Sequence, residues 1–179
     1  MHISVKKLAL CAIVGAAYAA LTMLLAPISY GPIQFRVSEV LCILPFFVPE
    51  TAWGLFLGCV VANLTSPSGM LDIVFGSLAT LGSCLCIAAI GRRGQRADHW
   101  LSIILACLMP AVWNGVIIGG VLMWTLTETV FPHFSSVFWV FGGEVALGEL
   151  AVLFVLGIPL IKALQHSPWI YRLNGEAAA

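Results

Sequence analysis

The sequence predicts an all-α membrane protein, a bundle of six transmembrane helices with both termini in the cytoplasm. Three observations carry that expectation. First, 61% of the 179 residues are hydrophobic and only 9% are charged, with a mean hydropathy of +1.05; soluble domains carry about 25% charged and 45–50% apolar residues. Second, the apolar residues fall into six runs separated by Pro, Gly and charged residues. At roughly 20 residues per crossing, the chain has room for about six helices and forms one integral membrane domain over 1–179. Third, the Lys and Arg residues alternate between loops as the positive-inside rule requires.

The first run spans Lys6 to Ala26 and stops at Pro27. Its start, with Lys6 and Lys7, resembles a signal peptide, and Ala17-Tyr18-Ala19 fits a cleavage site. The apolar run continues past that site to Leu25, so it is expected to be a retained helix. Ala12, Ala16 and Ala20 form a stripe of small residues at four-residue spacing. Such a stripe lets another helix approach closely, either inside the protein or on a partner. The second run, Pro32 to Phe47, and the third, Glu50 to Leu64, are short and joined by Val48-Pro49-Glu50. They are either two tilted crossings or a re-entrant hairpin; charge topology favours two crossings. The fourth run, Met70 to Ile90, opens with Asp72. The fifth is Trp100 to Leu126 and the sixth Phe138 to Leu164.

In this arrangement Lys6 and Lys7, the Arg92-Arg93-Arg96 loop, and Lys162 with Arg172 share one side, while Arg36 is the one cation on the other. The polar residues inside the apolar runs gather in the outer half. Gln34, Arg36, Ser38 and Glu39 open the second run, Asn63 closes the third and Asp72 opens the fourth. Asn114 lies within the fifth, and Glu144 and Glu149 lie in the first half of the sixth. Ionisable groups in a bilayer cost several kcal/mol unless they are paired or face a polar cavity. An inner half with almost no polar lining describes a cup open to the outside rather than a pore.

The candidate solute-binding residues are Gln34, Arg36, Glu39, Trp113, Asn114 and Glu144. Arg36 and Glu39 are three apart and can pair on one helical face, as a structural salt bridge or as part of the site. Glu144 follows Gly142-Gly143, which would let a ligand or a helix come close; Glu149 is a weaker candidate. Asp72 is read chiefly as a carboxylate favoured by a helix N-terminus. Trp113, beside Asn114, is the best stacking platform, whereas Trp124 and Trp139 suit an interfacial belt.

Other chemistry is disfavoured. The six cysteines lie in apolar runs and suit small core residues better than a disulfide framework or a metal site. The four histidines have no metal-ligand spacing. There is no G-x-x-x-x-G-K-S/T phosphate loop, no H-E-x-x-H and no G-x-S-x-G, so an enzyme is not expected. A net charge of zero argues against nucleic-acid binding.

The run Tyr30-Gly31-Pro32-Ile33-Gln34-Phe35-Arg36-Val37-Ser38-Glu39 resembles the QueT family of queuosine-precursor transporters. These are substrate-binding (S) components of energy-coupling factor (ECF) transporters. The resemblance extends to the alanine stripe, the short second and third runs, Gly142-Gly143-Glu144 and Leu156-Gly157-Ile158-Pro159-Leu160. It implies a six-helix protein in the plasma membrane of a prokaryote that takes its solute from outside. It implies partners, a transmembrane scaffold subunit and two ATPases that use the ATP, and no cofactor in this chain. Ala12, Ala16 and Ala20 would dock the scaffold, and Tyr30, Gly31 and Pro32 would belong to a gate loop. The implied solute is a flat 7-deazaguanine such as queuine or preQ1. The chemistry of such a solute, rather than the resemblance, suggests Glu39 and Glu144 as carboxylate partners and Gln34 and Asn114 as amide partners. The competing expectation is a self-sufficient secondary transporter or channel working as a homo-oligomer. It is disfavoured because no continuous polar path and no inverted repeat is visible.

Overall fold

The computed structural model describes residues 4–31, 34–94, 100–127 and 134–174. These residues form helices and no strand. Helix α1 (Val5–Leu24) is capped by Ser4, whose hydroxyl accepts from the Lys7 backbone N–H at 3.3 Å. A short turn, α2 (Ala26–Ser29), carries Pro27 in its first turn, where a missing N–H costs nothing. A 3₁₀ helix (Val37–Phe46) and α3 (Thr51–Asn63) follow. A π turn (Asp72–Gly76) leads into α4 (Ser77–Gly94), and α5 is Trp100–Thr127. Then α6 (Phe134–Val152), a π turn (Leu153–Gly157) and α7 (Ile158–Gln165) form one continuous rod; α8 (Pro168–Asn174) ends the described chain. The second π turn lies just before Pro159, which lacks the N–H that an unbroken α-helix would use.

Four stretches are long and apolar enough to cross a membrane: Val5–Leu24, Asp72–Arg92, Trp100–Thr125 and Ser136–Gln165. Val37–Phe46 and Thr51–Asn63 are apolar but shorter.

The second run departs from its expected form. It is not a helix over Pro32–Phe47. Residues 34–36 are non-helical, helix begins at Val37, and it is 3₁₀ throughout; Pro32 lies outside the described residues. Pro45 removes a backbone donor and disfavours α conformation at the residue before it. At about 2.0 Å per residue instead of 1.5 Å, the 3₁₀ form also carries ten residues further through the bundle. This segment is the hub. It packs against α1, α3, α4, α5, α6 and α7, and Cys42, Ile43 and Phe46 on it are buried.

Contacts between helix ends fix the relative direction of the segments. Lys7 Nζ pairs with Glu50 at 2.7 Å, the Gly91 backbone abuts Phe46, and Lys162 Nζ sits 3.9 Å from the Trp100 ring centroid. At the opposite end, Thr22 bonds Ser38 at 2.6 Å and Asn63 Nδ2 donates to the Asp72 carbonyl at 2.9 Å. Burial opposes the Glu50 charge, yet the Lys7 hydrogen bond, a backbone hydrogen bond and the Lys7 charge together outweigh it and hold the carboxyl below its ordinary value.

Helices α1 and α3 touch backbone to backbone. A β-carbon on Gly54 would lie 2.1 Å from the Cys11 carbonyl oxygen, and one on Gly58 would lie 2.3 Å from that of Gly15. The alanine stripe is not part of this contact. Ala12, Ala16 and Ala20 are exposed and point away from the bundle. Ala12 and Ala16, with the exposed Trp53, Leu57 and Val61, line an apolar groove of about 520 Å³ along α1 and α3. Gly142 plays a packing part as well, since a β-carbon there would meet the Gly115 carbonyl oxygen of α5 at 2.6 Å.

These contacts predict opposite outcomes for two similar substitutions. Gly54→Ala is expected to lower stability by about 1–3 kcal/mol or more, because neither backbone can yield without separating the helices. Gly120→Ala, where a β-carbon meets nothing within 4 Å, is expected to be neutral or to add about 0.5–1 kcal/mol. Thermal unfolding of both in detergent checks this; equal melting temperatures would mean that the α1–α3 contact is looser than described.

Candidate ligand-binding site

Several of the polar residues inside the apolar runs meet around Arg36. Its position is set by a turn: the Val37 N–H donates to the Phe35 carbonyl at 3.1 Å across Arg36, whose φ and ψ are −83° and 84°. That is close to an inverse γ-turn, a common way to leave an extended segment. The turn leaves the Arg36 side chain fully buried. Its Nη2 lies 3.6 Å from Asp72 Oδ2, and its guanidinium sits 5.5 Å from the Tyr30 ring centroid. Tyr30 is in turn fastened by its hydroxyl to the Ala62 carbonyl at 2.8 Å. Partial burial raises the Tyr30 phenol above its ordinary value, so the ring over Arg36 stays neutral.

Asp72 is placed by the π turn that opens α4, a feature frequent at functional sites. Its Oδ2 also accepts from the Ser66 hydroxyl at 2.5 Å. Gly76 lets the side chains of Asp72 and Asn63 pack against the backbone here: a β-carbon there would lie 2.6 Å from Asp72 Oδ1 and 2.9 Å from Asn63 Nδ2. Across the bundle, Asn114 Nδ2 on α5 donates to Glu149 Oε1 on α6 at 2.6 Å, and both side chains are fully buried. Glu149 lies within electrostatic reach of Glu39 and Arg36.

Glu39 does not bond to Arg36. On a 3₁₀ helix, residues three apart eclipse, and Glu39 Oε2 accepts from Cys42 Sγ at 3.0 Å. Its Oε1 accepts from the Tyr18 hydroxyl. The expected Arg36–Glu39 pair is thus replaced by Arg36–Asp72, because Arg36 precedes the helix and is turned by the γ-turn. Both Glu39 oxygens have donors within the protein, which gives this carboxylate a wall-forming role. Tyr18→Phe would strand one of those oxygens. The expected result is a loss of about 1–3 kcal/mol of stability, read by thermal unfolding; an unchanged midpoint would mean that Glu39 has another donor.

The other polar atoms are not satisfied. Gln34 Oε1, Asn63 Oδ1, Asp72 Oδ1, Asn114 Oδ1 and Glu149 Oε2 are buried with no hydrogen-bond partner, as are the Arg36 nitrogens. Native interiors leave few such groups, and each one calls for a water, an ion or a ligand. Here they sit on the second, third, fourth, fifth and sixth runs.

A family model described as the QueT transporter matches residues 8–166. The chain belongs to the QueT transporter family. It is 34% identical over 146 residues to the queuosine precursor transporter QueT of Lactococcus lactis subsp. cremoris (strain MG1363), an alignment covering 80% of this chain and 83% of that one. No solved structure matches the chain. As a QueT-family transporter with four apolar stretches of spanning length, it is a multi-pass membrane protein.

Of the residues singled out in this QueT-family sequence, Gln34, Arg36, Glu39 and Asn114 are all buried, and Asn114 is joined through Glu149 to the neighbourhood of Arg36 and Glu39. Trp113 packs its ring against Gly82 of α4, where a β-carbon would lie 2.8 Å from the indole. Glu144 is part-exposed, and among the described residues no hydrogen bond reaches it. The contacts bring Glu149 into the cluster instead, together with Asp72, Asn63 and Tyr18. A signal for Glu149 exists in the sequence: Asn114 and Glu149 are the deep polar residues of two long apolar runs, and each needs a partner in the bilayer. Glu144→Gln is therefore expected to change solute affinity by less than about 0.5 kcal/mol, as surface substitutions do. Titration calorimetry checks this, and a loss above tenfold would return Glu144 to the site.

Proposed function

We propose that this chain is the substrate-binding S component of an ECF-type transporter and that it captures a queuosine precursor of the 7-deazaguanine type from outside the cell. It crosses the plasma membrane of a prokaryote six times with both termini cytoplasmic. A scaffold subunit and two ATPases, separate from this chain, supply the energy.

The observation that carries the solute half of this reading is the set of buried, unpartnered polar atoms around Arg36. It is rich in acceptors, with a single fork of donors. A 7-deazaguanine is the complement: its ring N–H groups and exocyclic amine donate, and its carbonyl and ring nitrogen accept from a guanidinium. Tyr30 and Trp113 are the flat rings near this region that suit a planar base. The name of the Lactococcus relative supports the same solute class. The pairing of helix ends, Lys7 with Glu50, Gly91 with Phe46 and Lys162 with Trp100, supports six alternating segments. The exposed alanine stripe supports a partner on that face.

Calorimetry on the purified chain tests the solute assignment. Binding of 7-aminomethyl-7-deazaguanine or queuine with a dissociation constant below about 1 μM, near −8 kcal/mol, is expected. Absence of saturable binding for both compounds would reject it. Proteoliposomes holding the chain alone should show no uptake; uptake without an ATPase partner would favour the secondary-transporter alternative.

A further inference from the structure

Four ionisable side chains meet in the cluster: Arg36 and Glu39 of the second run, Asp72 of the fourth and Glu149 of the sixth, each at most 3% exposed. That is three carboxyl groups against one guanidinium. They are not equivalent. Asp72 faces Arg36 and accepts from Ser66. Glu39 has a donor on each oxygen. Glu149 has one neutral donor, the Asn114 amide on Oε1, and nothing on Oε2. It also lies within reach of the like charge of Glu39. An uncompensated buried carboxylate is costly, and either a proton or a cation must offset it.

We propose that Glu149, oriented by Asn114, is the counter-ion for a cationic substituent of the solute, so that the site selects amine-bearing 7-deazaguanines over uncharged ones. The inference rests on the solute class proposed above and assigns a specificity within it. The guanine-like edge is common to all such compounds and cannot tell them apart. Only a group that reads the substituent can. An ammonium brings donors to Glu149 Oε2 and offsets one of the two carboxyl groups in excess of Arg36, whereas a nitrile or methyl group at the same ring position leaves that oxygen unpaired. Discrimination of this kind is steep, because the wrong ligand leaves a buried polar atom unsatisfied.

The test compares affinities of the purified full chain for 7-aminomethyl-, 7-cyano- and 7-methyl-7-deazaguanine. The wild-type chain is expected to bind the amine at least about tenfold more tightly than either neutral compound. In Glu149→Gln the preference should shrink to about threefold or less, mainly through weaker binding of the amine. Glu149→Asp, which keeps the charge, should retain a clear preference; it and the wild type carry the test should the Gln variant fail to fold. Equal affinities in the wild type, an undiminished preference in Glu149→Gln, or loss of the preference in Glu149→Asp overturns this inference while leaving the solute class standing. Failure of all three compounds to bind removes the solute class and the inference with it.

Discussion

Arg36→Gln is expected to abolish solute binding and to destabilise the protein at the same time. Arg36 is fully buried and faces Asp72. Removing the cation strands a buried carboxylate, which costs about 3–5 kcal/mol. Hydrogen bonds to charged groups contribute about 1.5–3 kcal/mol each. Losing the two that a guanidinium fork would give the base should therefore weaken binding by roughly a hundredfold or more. The two effects are separable. In the double variant Arg36→Gln, Asp72→Asn the Asp72 charge is no longer stranded, so thermal unfolding should return part of the way to that of the wild type. Calorimetry should still find no binding. A single variant that binds within tenfold of wild type would take Arg36 out of the site. A double variant that recovers binding as well would make the pair purely structural.

Ala16→Trp is expected to stop uptake in cells while leaving solute binding by the purified chain intact. The residue is exposed on α1, on the lip of the groove shared with α3, and the internal α1–α3 contact runs through Gly15, Gly54 and Gly58 instead. An indole there would project over the groove rather than into the α1–α3 contact. It would hold a partner helix away from a seam built of small residues, whose attraction is van der Waals packing and falls off within an ångström or so. Uptake should fall to background in cells that also make the scaffold and ATPases. Normal uptake would mean that nothing docks on the stripe, and loss of binding would mean that the stripe supports the fold from within.

Legibility in the sequence followed the range of the physics involved. The number and placing of the helices rest on runs of apolar residues and on punctuation by Pro and Gly, which are local properties. The ends of α1, α3 and α5 accordingly lie within a few residues of expectation. The second run did not follow, because its Pro45 and its place at the centre of the bundle favour a 3₁₀ helix over the α-helix that its hydrophobicity suggests. The polar residues at its start are buried, as their cost in a bilayer requires, but the spacing did not disclose the partners of Arg36 and Glu39. Spacing alone pairs Arg36 with Glu39. The turn at Arg36 sends the guanidinium to Asp72, 36 positions along the chain rather than three. Likewise Gly142-Gly143 looked like an opening beside Glu144, but Gly142 is spent on a close approach to α5, and that approach brings Glu149 opposite Asn114.

From the sequence alone it follows that this chain lives in a membrane and, by the resemblance of its motifs, that it belongs with solute carriers rather than enzymes. Composition and hydropathy suffice for the first, because the cost of an unpaired charge in hydrocarbon does not depend on the fold. Only the tertiary structure decided which acids face Arg36, which oxygens are already satisfied and which remain open. Those are matters of hydrogen-bond geometry between residues up to 35 positions apart, and a difference of one helical turn in either partner decides them.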